Sequence, residues 1–197
     1  DKGDQVADVE TVPRTNEYAA NWHNFDHVDV PCEVDTTVPL RKIQTLSDQL
    51  TTIPPGFKLH NRVQRIINDR IKMAAGELPL DWGFAETMAY ATLVDEGTKL
   101  RLVGQDSGRG TFFHRHAVLH NQVDGSTITP LQHIRPDTEV SVIDSLLSEE
   151  AVLGFEYGYA TAAPETLAIW EAQFGDFANG AQVVIDQFIT SGEAKWG

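Results

Sequence analysis

Three carboxylates stand in an otherwise apolar stretch, Ser148-Glu149-Glu150-Ala151-Val152-Leu153-Gly154-Phe155-Glu156-Tyr157-Gly158-Tyr159-Ala160. On a helix Glu149 and Glu156, seven residues apart, fall on nearly the same face. Glu149 and Glu150 are accounted for by first-turn complementarity to the helix dipole, which needs no function. Glu156, set among Phe155, Tyr157 and Tyr159, is harder to solvate and reads as a buried, paired carboxylate. A carboxyl group held out of water has a raised pKa and can donate a proton near neutral pH. Residue types alone do not choose between Glu149 and Glu156.

Histidines form a second candidate group: His114, His116 and, four residues beyond it, His120. Histidines at that spacing share a helix face, which is one way to build a zinc site. No cysteine is near, and no Asp or Glu falls at ligand spacing within the segment, so no metal is assigned to this chain. Phe112, Phe113, Ala117, Val118 and Leu119 make the segment read as a partly buried helix. Its histidines then read as hydrogen-bonded structural or polar site residues.

These groups need a frame. Leu40, Ile43, Leu46 and Leu50 share one helical stripe that Pro54-Pro55 ends. Val63, Ile66, Ile67 and Ile71 form a second stripe, flanked by Arg62, Arg65, Arg70 and Lys72 and closed near Gly76. A third helix is expected from Trp82 to Glu96, with Ala85, Met88, Ala89 and Leu93 inward and Gly97 as its stop. Lys99 to Gly104 then reads as a short strand and Leu146 to Ala163 as a helix with Ser148 as N-cap. Thr166 to Glu171 is an apolar run of strand length, and Ala181 to Ser191 reads as the next helix. Strand, loop and helix in alternation predict an α/β fold with a mostly parallel sheet and flanking helices, after an α-rich N-terminal part. In such sheets ligands bind beyond the carboxyl ends of strands. Two glycine-rich segments leave those ends, Gly104 to Thr111 and Ala172 to Gly180, where the backbone can approach a ligand closely. The first is neither a Walker loop nor a dinucleotide fingerprint.

Bulk properties narrow the class. The chain has 197 residues, 15 Lys and Arg against 29 Asp and Glu, and a formal net charge of −14. That balance argues against general nucleic-acid binding and against docking on an anionic membrane leaflet. No apolar run approaches the roughly 20 residues of a membrane span. Cys32 is the only cysteine, so no internal disulfide is possible, which fits a reducing compartment. A start at Asp1 and an end at Gly197, directly after a helix-like run, lead us to expect a piece of a longer protein, its sheet truncated at the C-terminus. Residues 1–39, polar and without sustained periodicity, read as an extended arm or linker with Trp22, Phe25 and Val28 as possible anchors.

Three segments carry a family resemblance. They are Gly104-Gln105-Asp106-Ser107-Gly108-Arg109-Gly110-Thr111-Phe112-Phe113-His114-Arg115-His116-Ala117-Val118-Leu119-His120, then Leu147 to Ala160, and then Ile169-Trp170-Glu171-Ala172-Gln173-Phe174-Gly175-Asp176-Phe177-Ala178-Asn179-Gly180-Ala181-Gln182 running on to Gly197. Together they resemble the thiamine-diphosphate-dependent decarboxylase component of bacterial 2-oxoglutarate dehydrogenase complexes. The resemblance covers most of residues 82–197, is loose over 40–80 and holds for 1–39 by order alone. It implies a truncated transketolase-like pyrimidine-binding domain over 81–197, a helical lead-in over 40–80 and the arm before it.

In that family a glutamate hydrogen-bonds a ring nitrogen of the aminopyrimidine and favours its imino tautomer. This readies the thiazolium carbon to attack a 2-oxo acid. The family pattern sets this glutamate two residues after the Leu that opens Leu147-Ser148-Glu149. The resemblance therefore selects Glu149 as the catalytic, cofactor-binding acid and makes Glu156 structural. It also implies that Phe177 stacks on the pyrimidine, that Leu147 supports the bent cofactor and that Gln105 faces the substrate. A Gly-Asp-Gly followed by Asn, which holds the diphosphate and magnesium in the family, does not occur in this sequence. The expected setting is a cytoplasmic bacterial homodimer that acts on 2-oxoglutarate and works with a dihydrolipoamide succinyltransferase and its lipoyl domain. The chain alone is expected to be inactive. A 2-oxoadipate-specific homologue or a non-catalytic dimerisation module are the alternatives.

Overall fold

The computed structural model describes residues 20–25, 35–174, 180–192 and 194. Helices α1 (Leu40–Thr51), α2 (Asn61–Ala75) and α3 (Trp82–Asp95) come first. Helix α2 starts on His60, whose Nδ1 accepts the Arg62 N–H at 3.3 Å, and stops on Gly76 at φ +78°. A left-handed residue there costs least as glycine. Asp81 caps α3, accepting the Phe84 N–H at 2.7 Å.

The inward faces of α2 and α3 differ from expectation. Helix α2 buries Ile67, Arg70 and Ala74 and leaves Ile71 exposed, so a residue read as flanking lies inside. Helix α3 buries Gly83, Phe84, Thr87, Met88, Ala91 and Val94, while Ala89 is exposed. Helix α3 is apolar nearly all round, so periodicity has no contrast with which to choose a face. Its neighbours α1 and the sheet choose it instead.

Strand β1 (Lys99–Gly104) is the centre of a three-stranded parallel sheet, flanked by β4 (Val140–Asp144) and β5 (Thr166–Glu171). Leu102 is level with Val142 on one side and Ile169 on the other. Between β1 and β4 the chain forms a small antiparallel pair, β2 (Leu119–His120) with β3 (Thr127–Ile128), and a 3-10 turn, Pro130–His133. Helix α4 (Glu149–Ala162) connects β4 to β5 and packs on β5 and β1. Helix α5 (Gln182–Val184) runs on into a π-helical turn over Ile185–Ile189.

The segment expected as a helix around Phe112 to Leu119 is a loop leading into β2. Gly110, Phe113 and His116 all have positive φ, at +83°, +56° and +47°. An α-helix cannot pass through such residues.

The larger core lies on the α1 and α3 side of the sheet: Leu46, Phe84, Met88, Ala91, Val94, Leu100, Leu131 and Val140, with Leu167 and Ile169 against them. On the α4 side Leu153, Ala181 and Val184 pack with Trp170 and Ile185. Alternation along β5 thus sends Ile169 to one layer and Trp170 to the other. Among the described residues no helix is long and apolar enough to cross a membrane.

Candidate functional site

Strands β1, β4 and β5 are parallel, so their carboxyl ends Gly104, Asp144 and Glu171 lie at one end of the sheet. Gly104 passes so close to the Glu171 carbonyl that a Cβ has no room. The loop after β1 is then tied down from several sides. Asp144 Oδ1 accepts the Gly108 N–H at 2.7 Å, and Glu171 Oε1 accepts both the N–H and the hydroxyl of Thr111 at 3.0 Å. Gln173 Nε2 donates to the Gln105 carbonyl and to Thr111 Oγ1, each at 2.9 Å.

Under this loop sits a charged network. The Arg115 side chain is 4% exposed and grips Glu86 through two bonds, Nε to Oε2 at 3.0 Å and Nη2 to Oε1 at 2.8 Å. Its Nη1 pairs with Glu171 and donates to the Ser107 carbonyl at 2.9 Å. Glu86 also accepts the Tyr90 hydroxyl at 2.9 Å. Burial pushes the Glu86 carboxyl up, but the Arg115 bonds and charge outweigh it and hold the group below its ordinary range. Burial and the Glu86 charge push the Tyr90 phenol upward. Arg70, itself buried, donates from Nη2 to the carbonyls of His114 and Arg115 at 3.0 and 2.7 Å. Burial first, and then the charge of Arg70, lowers the pKa of His116. An open depression of about 710 Å³ borders this network, lined by Thr111, Phe112, His114, Glu171 and Phe174 among others. Phe112 and Phe174 meet edge to face there, centroids 6.3 Å apart.

Glu149 occupies the first turn of α4, directly after the N-cap Ser148, whose Oγ accepts the Ala151 N–H at 3.4 Å. Its residue exposure is 6%. Carboxylate oxygen Oε2 accepts the indole N–H of Trp170 at 2.6 Å. A carboxylate in a helix's first turn faces the positive end of the helix dipole. Glu156, 4% exposed, belongs to a different structure. Arg101 on β1 holds it with Nε to Oε2 at 2.7 Å and Nη2 to Oε1 at 2.9 Å, and the same guanidinium lies over the rings of Phe155 and Tyr159. That pairing makes Glu156 a seat for α4 on the sheet rather than a free proton donor.

Of the other residues singled out, Gln105 is exposed at the start of the tied loop, its carbonyl held by Gln173. Leu147 is 58% exposed between β4 and α4. Phe177 lies outside the described residues. Glu149 and Trp170 are on the α4 layer, whereas Glu171, next in the chain, turns to the Arg115 network. The histidines do not assemble: among the described residues no three His, Cys, Asp or Glu side chains are placed to hold a metal. Trp170, Glu86, Arg115, Glu171 and Gln173 are neighbours of the candidate site that sequence reasoning missed. Trp170 was hidden inside an apolar strand pattern; only the rarity of an indole N–H in such a run hinted at a buried acceptor.

Residues 79–197 match the family profile described as "Transketolase, pyrimidine binding domain". The chain is 52% identical over 199 residues to a "2-oxoglutarate dehydrogenase E1 component" of Coxiella burnetii, covering 100% of this chain and 21% of that protein. A protein of the same description from Haemophilus influenzae is 52% identical over 198 residues, again 100% of this chain and 21% of the other. One from Azotobacter vinelandii is 57% identical over 164 residues, 83% of this chain and 17% of the relative. The chain thus spans about a fifth of the length of these curated relatives. With its parallel sheet, the α4 crossover and a profile match over more than half its length, the chain belongs to the transketolase pyrimidine-binding domain family.

Proposed function

We propose that this chain is the pyrimidine-binding part of a bacterial 2-oxoglutarate dehydrogenase, the component that decarboxylates 2-oxoglutarate and passes the succinyl group to lipoyl groups in the tricarboxylic acid cycle. The observation that carries this reading is similarity along the whole of this chain, at about half identity, to a fifth of the length of proteins bearing that name. On this reading residues 81–197 form the pyrimidine-binding domain, 40–80 a helical lead-in and 1–39 an arm.

Thiamine diphosphate, when bound, supplies a carbon nucleophile and an electron sink for decarboxylating a 2-oxo acid. The residues present fit its flat, basic half. Glu149 offers a buried carboxylate at the carboxyl end of parallel strands, on the first turn of a capped helix. Such a group holds a proton donor on a heterocycle strongly, because a buried charge gains more from a hydrogen bond than an exposed one. Glu149 is the catalytic acid on this reading, and Leu147 and Phe177 complete its grip on the ring. Gln105 stands on the substrate side, at the start of a loop clamped by Gln173, Asp144 and Glu171. The diphosphate and magnesium fall to a second domain, since their family motif does not occur in these 197 residues.

Helix α4 supports assembly as a homodimer. Ala151, Gly154, Phe155 and Gly158 are exposed along one side, and nothing lies within 4 Å of a Cβ built on either glycine. Small residues let a second helix approach closely. A succinyltransferase component with its lipoyl domain completes the expected partners, and the bacterial cytoplasm the setting.

Replacing Glu149 in the full-length protein tests the reading. Glu149→Gln should lower 2-oxoglutarate decarboxylation by roughly 10²- to 10⁴-fold, the size of a lost proton-transfer partner, with the fold retained by circular dichroism. Wild-type turnover in that variant would remove Glu149 from the chemistry and the reading with it. Comparing 2-oxoglutarate with 2-oxoadipate as substrate decides the acid acted upon.

A further inference from the structure

Trp170 contributes more than core packing. Its half-buried indole packs on the cluster of Leu153, Ala181 and Val184, and its backbone is fixed in β5, level with Val103 of the central strand. The strand and the cluster restrict the ring, and its N–H reaches Glu149 Oε2 at 2.6 Å, shorter than an ordinary N–H···O bond. The acceptor is a long side chain with several rotamers to lose, on a residue only 6% exposed. A rigid donor gripping a flexible carboxylate sets where that carboxylate points.

The indole also sorts the two oxygens. An indole N–H donates and has no lone pair to accept with. An O–H on Oε2 would have to turn away from Trp170 and would leave the indole N–H with a poorer acceptor, so Oε2 is favoured as the acceptor. A proton the carboxyl group shares with a ligand is then favoured on Oε1.

We propose that Trp170 is a positioning residue for Glu149, anchoring Oε2 so that Oε1 is the oxygen that holds or exchanges the proton with the ring nitrogen of its ligand. This rests on the reading of Glu149 given under Proposed function. The anchor also stabilises the ionised carboxylate, so its removal makes the group easier to protonate.

The test uses the full-length protein with two replacements: Trp170→Phe, and 3-benzothienylalanine at position 170, which keeps the indole's shape and replaces its N–H by sulfur. In the cofactor-free protein, infrared difference spectra against Glu149→Gln isolate the Glu149 carboxyl stretch and follow its titration. Both replacements should move that titration upward by about one pH unit, the size expected for one lost charge-assisted bond. In the holoenzyme the acid limb of the kcat profile should move the same way. The kcat at neutral pH should fall about tenfold, with KM for the 2-oxo acid little changed. Should Trp170→Phe fail to fold, the benzothienyl protein carries the test alone. An unmoved infrared titration and acid limb in a folded benzothienyl protein overturns the inference. If Glu149→Gln is inactive in the same experiments, the wider reading survives that result; if it turns over normally, the wider reading is what has failed.

Discussion

Glu149 and Glu156 are two acids of one helix, two turns apart, each less than a tenth exposed. Glu156 is met by a guanidinium with two bonds and two aromatic rings stacked on it. Glu149 accepts an indole N–H on Oε2, a bond that orients the carboxylate. Burial alone therefore does not mark a functional acid. A bidentate cation on the neighbouring strand commits Glu156 to structure, whereas the indole fixes one oxygen of Glu149.

The contrast breaks most visibly if Glu156 is unseated. Arg101→Met in the full-length protein leaves a buried carboxylate without its guanidinium and should cost α4 about 3 kcal/mol of local stability, read as lost amide-exchange protection. Converting both residues, Arg101→Met with Glu156→Met, should restore most of that protection, because the pair itself contributes little beyond matching two buried charges. Equal losses in the single and double variants would mean that Glu156 was not held by charge. The comparison would then lose its basis.

The Arg115 network sharpens the same point through pH. Glu86 has a folded pKa below its unfolded value, held down by Arg115 against burial. Its contribution is present above the ordinary carboxylate value of 4.5 and is lost as pH falls through the lower folded pKa. His116 is also lowered, by burial and by Arg70, so its contribution is intact above 6.5 and fades as pH drops through its folded value. Protease sensitivity of the loop from Gly104 to Val118 should therefore rise in two stages on acidification. Glu86→Gln should abolish the lower stage and leave the upper one. A single stage that ignores Glu86 would show that the network does not hold the loop.

Much of this frame was legible in the chain. Lys99–Gly104 and Thr166–Glu171 are the strands expected, and Ser148 caps the helix expected to follow it. Those segments carry their own signals: an apolar run between breakers, and a hydroxyl before two acids. Strand β4 was missed because Val140-Ser141-Val142-Ile143-Asp144 is short and becomes a strand only by pairing with β1. The histidine segment was misread because its helix-like apolar spacing says nothing of Phe113 and His116 at positive φ, in a loop whose His114 and Arg115 carbonyls Arg70 holds. Partner choice for the two glutamates was illegible for the same reason. Arg101 and Trp170 are 55 and 21 residues from the acids they hold, and only the sheet brings them there.

The smallest expected effect isolates what makes Trp170 special. Trp22 offers the same donor to the opposite end of α4, its Nε1 reaching the Thr161 carbonyl at 2.9 Å. Thr161 lies in the last turn of the helix, where carbonyls have no partner within it, so the bond caps α4. Trp22 is 42% exposed, though, and its acceptor is a neutral carbonyl that water can serve in its absence. Trp22→Phe should therefore cost about 0.5 kcal/mol, seen as slightly faster exchange in the last turn of α4, and should leave the acid limb of the kcat profile where it was. Should Trp22→Phe move that limb as far as a change at Trp170 does, the indole at Glu149 would be acting through the stability of α4. An unmoved limb ties the effect to the carboxylate itself: the same N–H on the same helix matters for proton chemistry only where its acceptor can ionise.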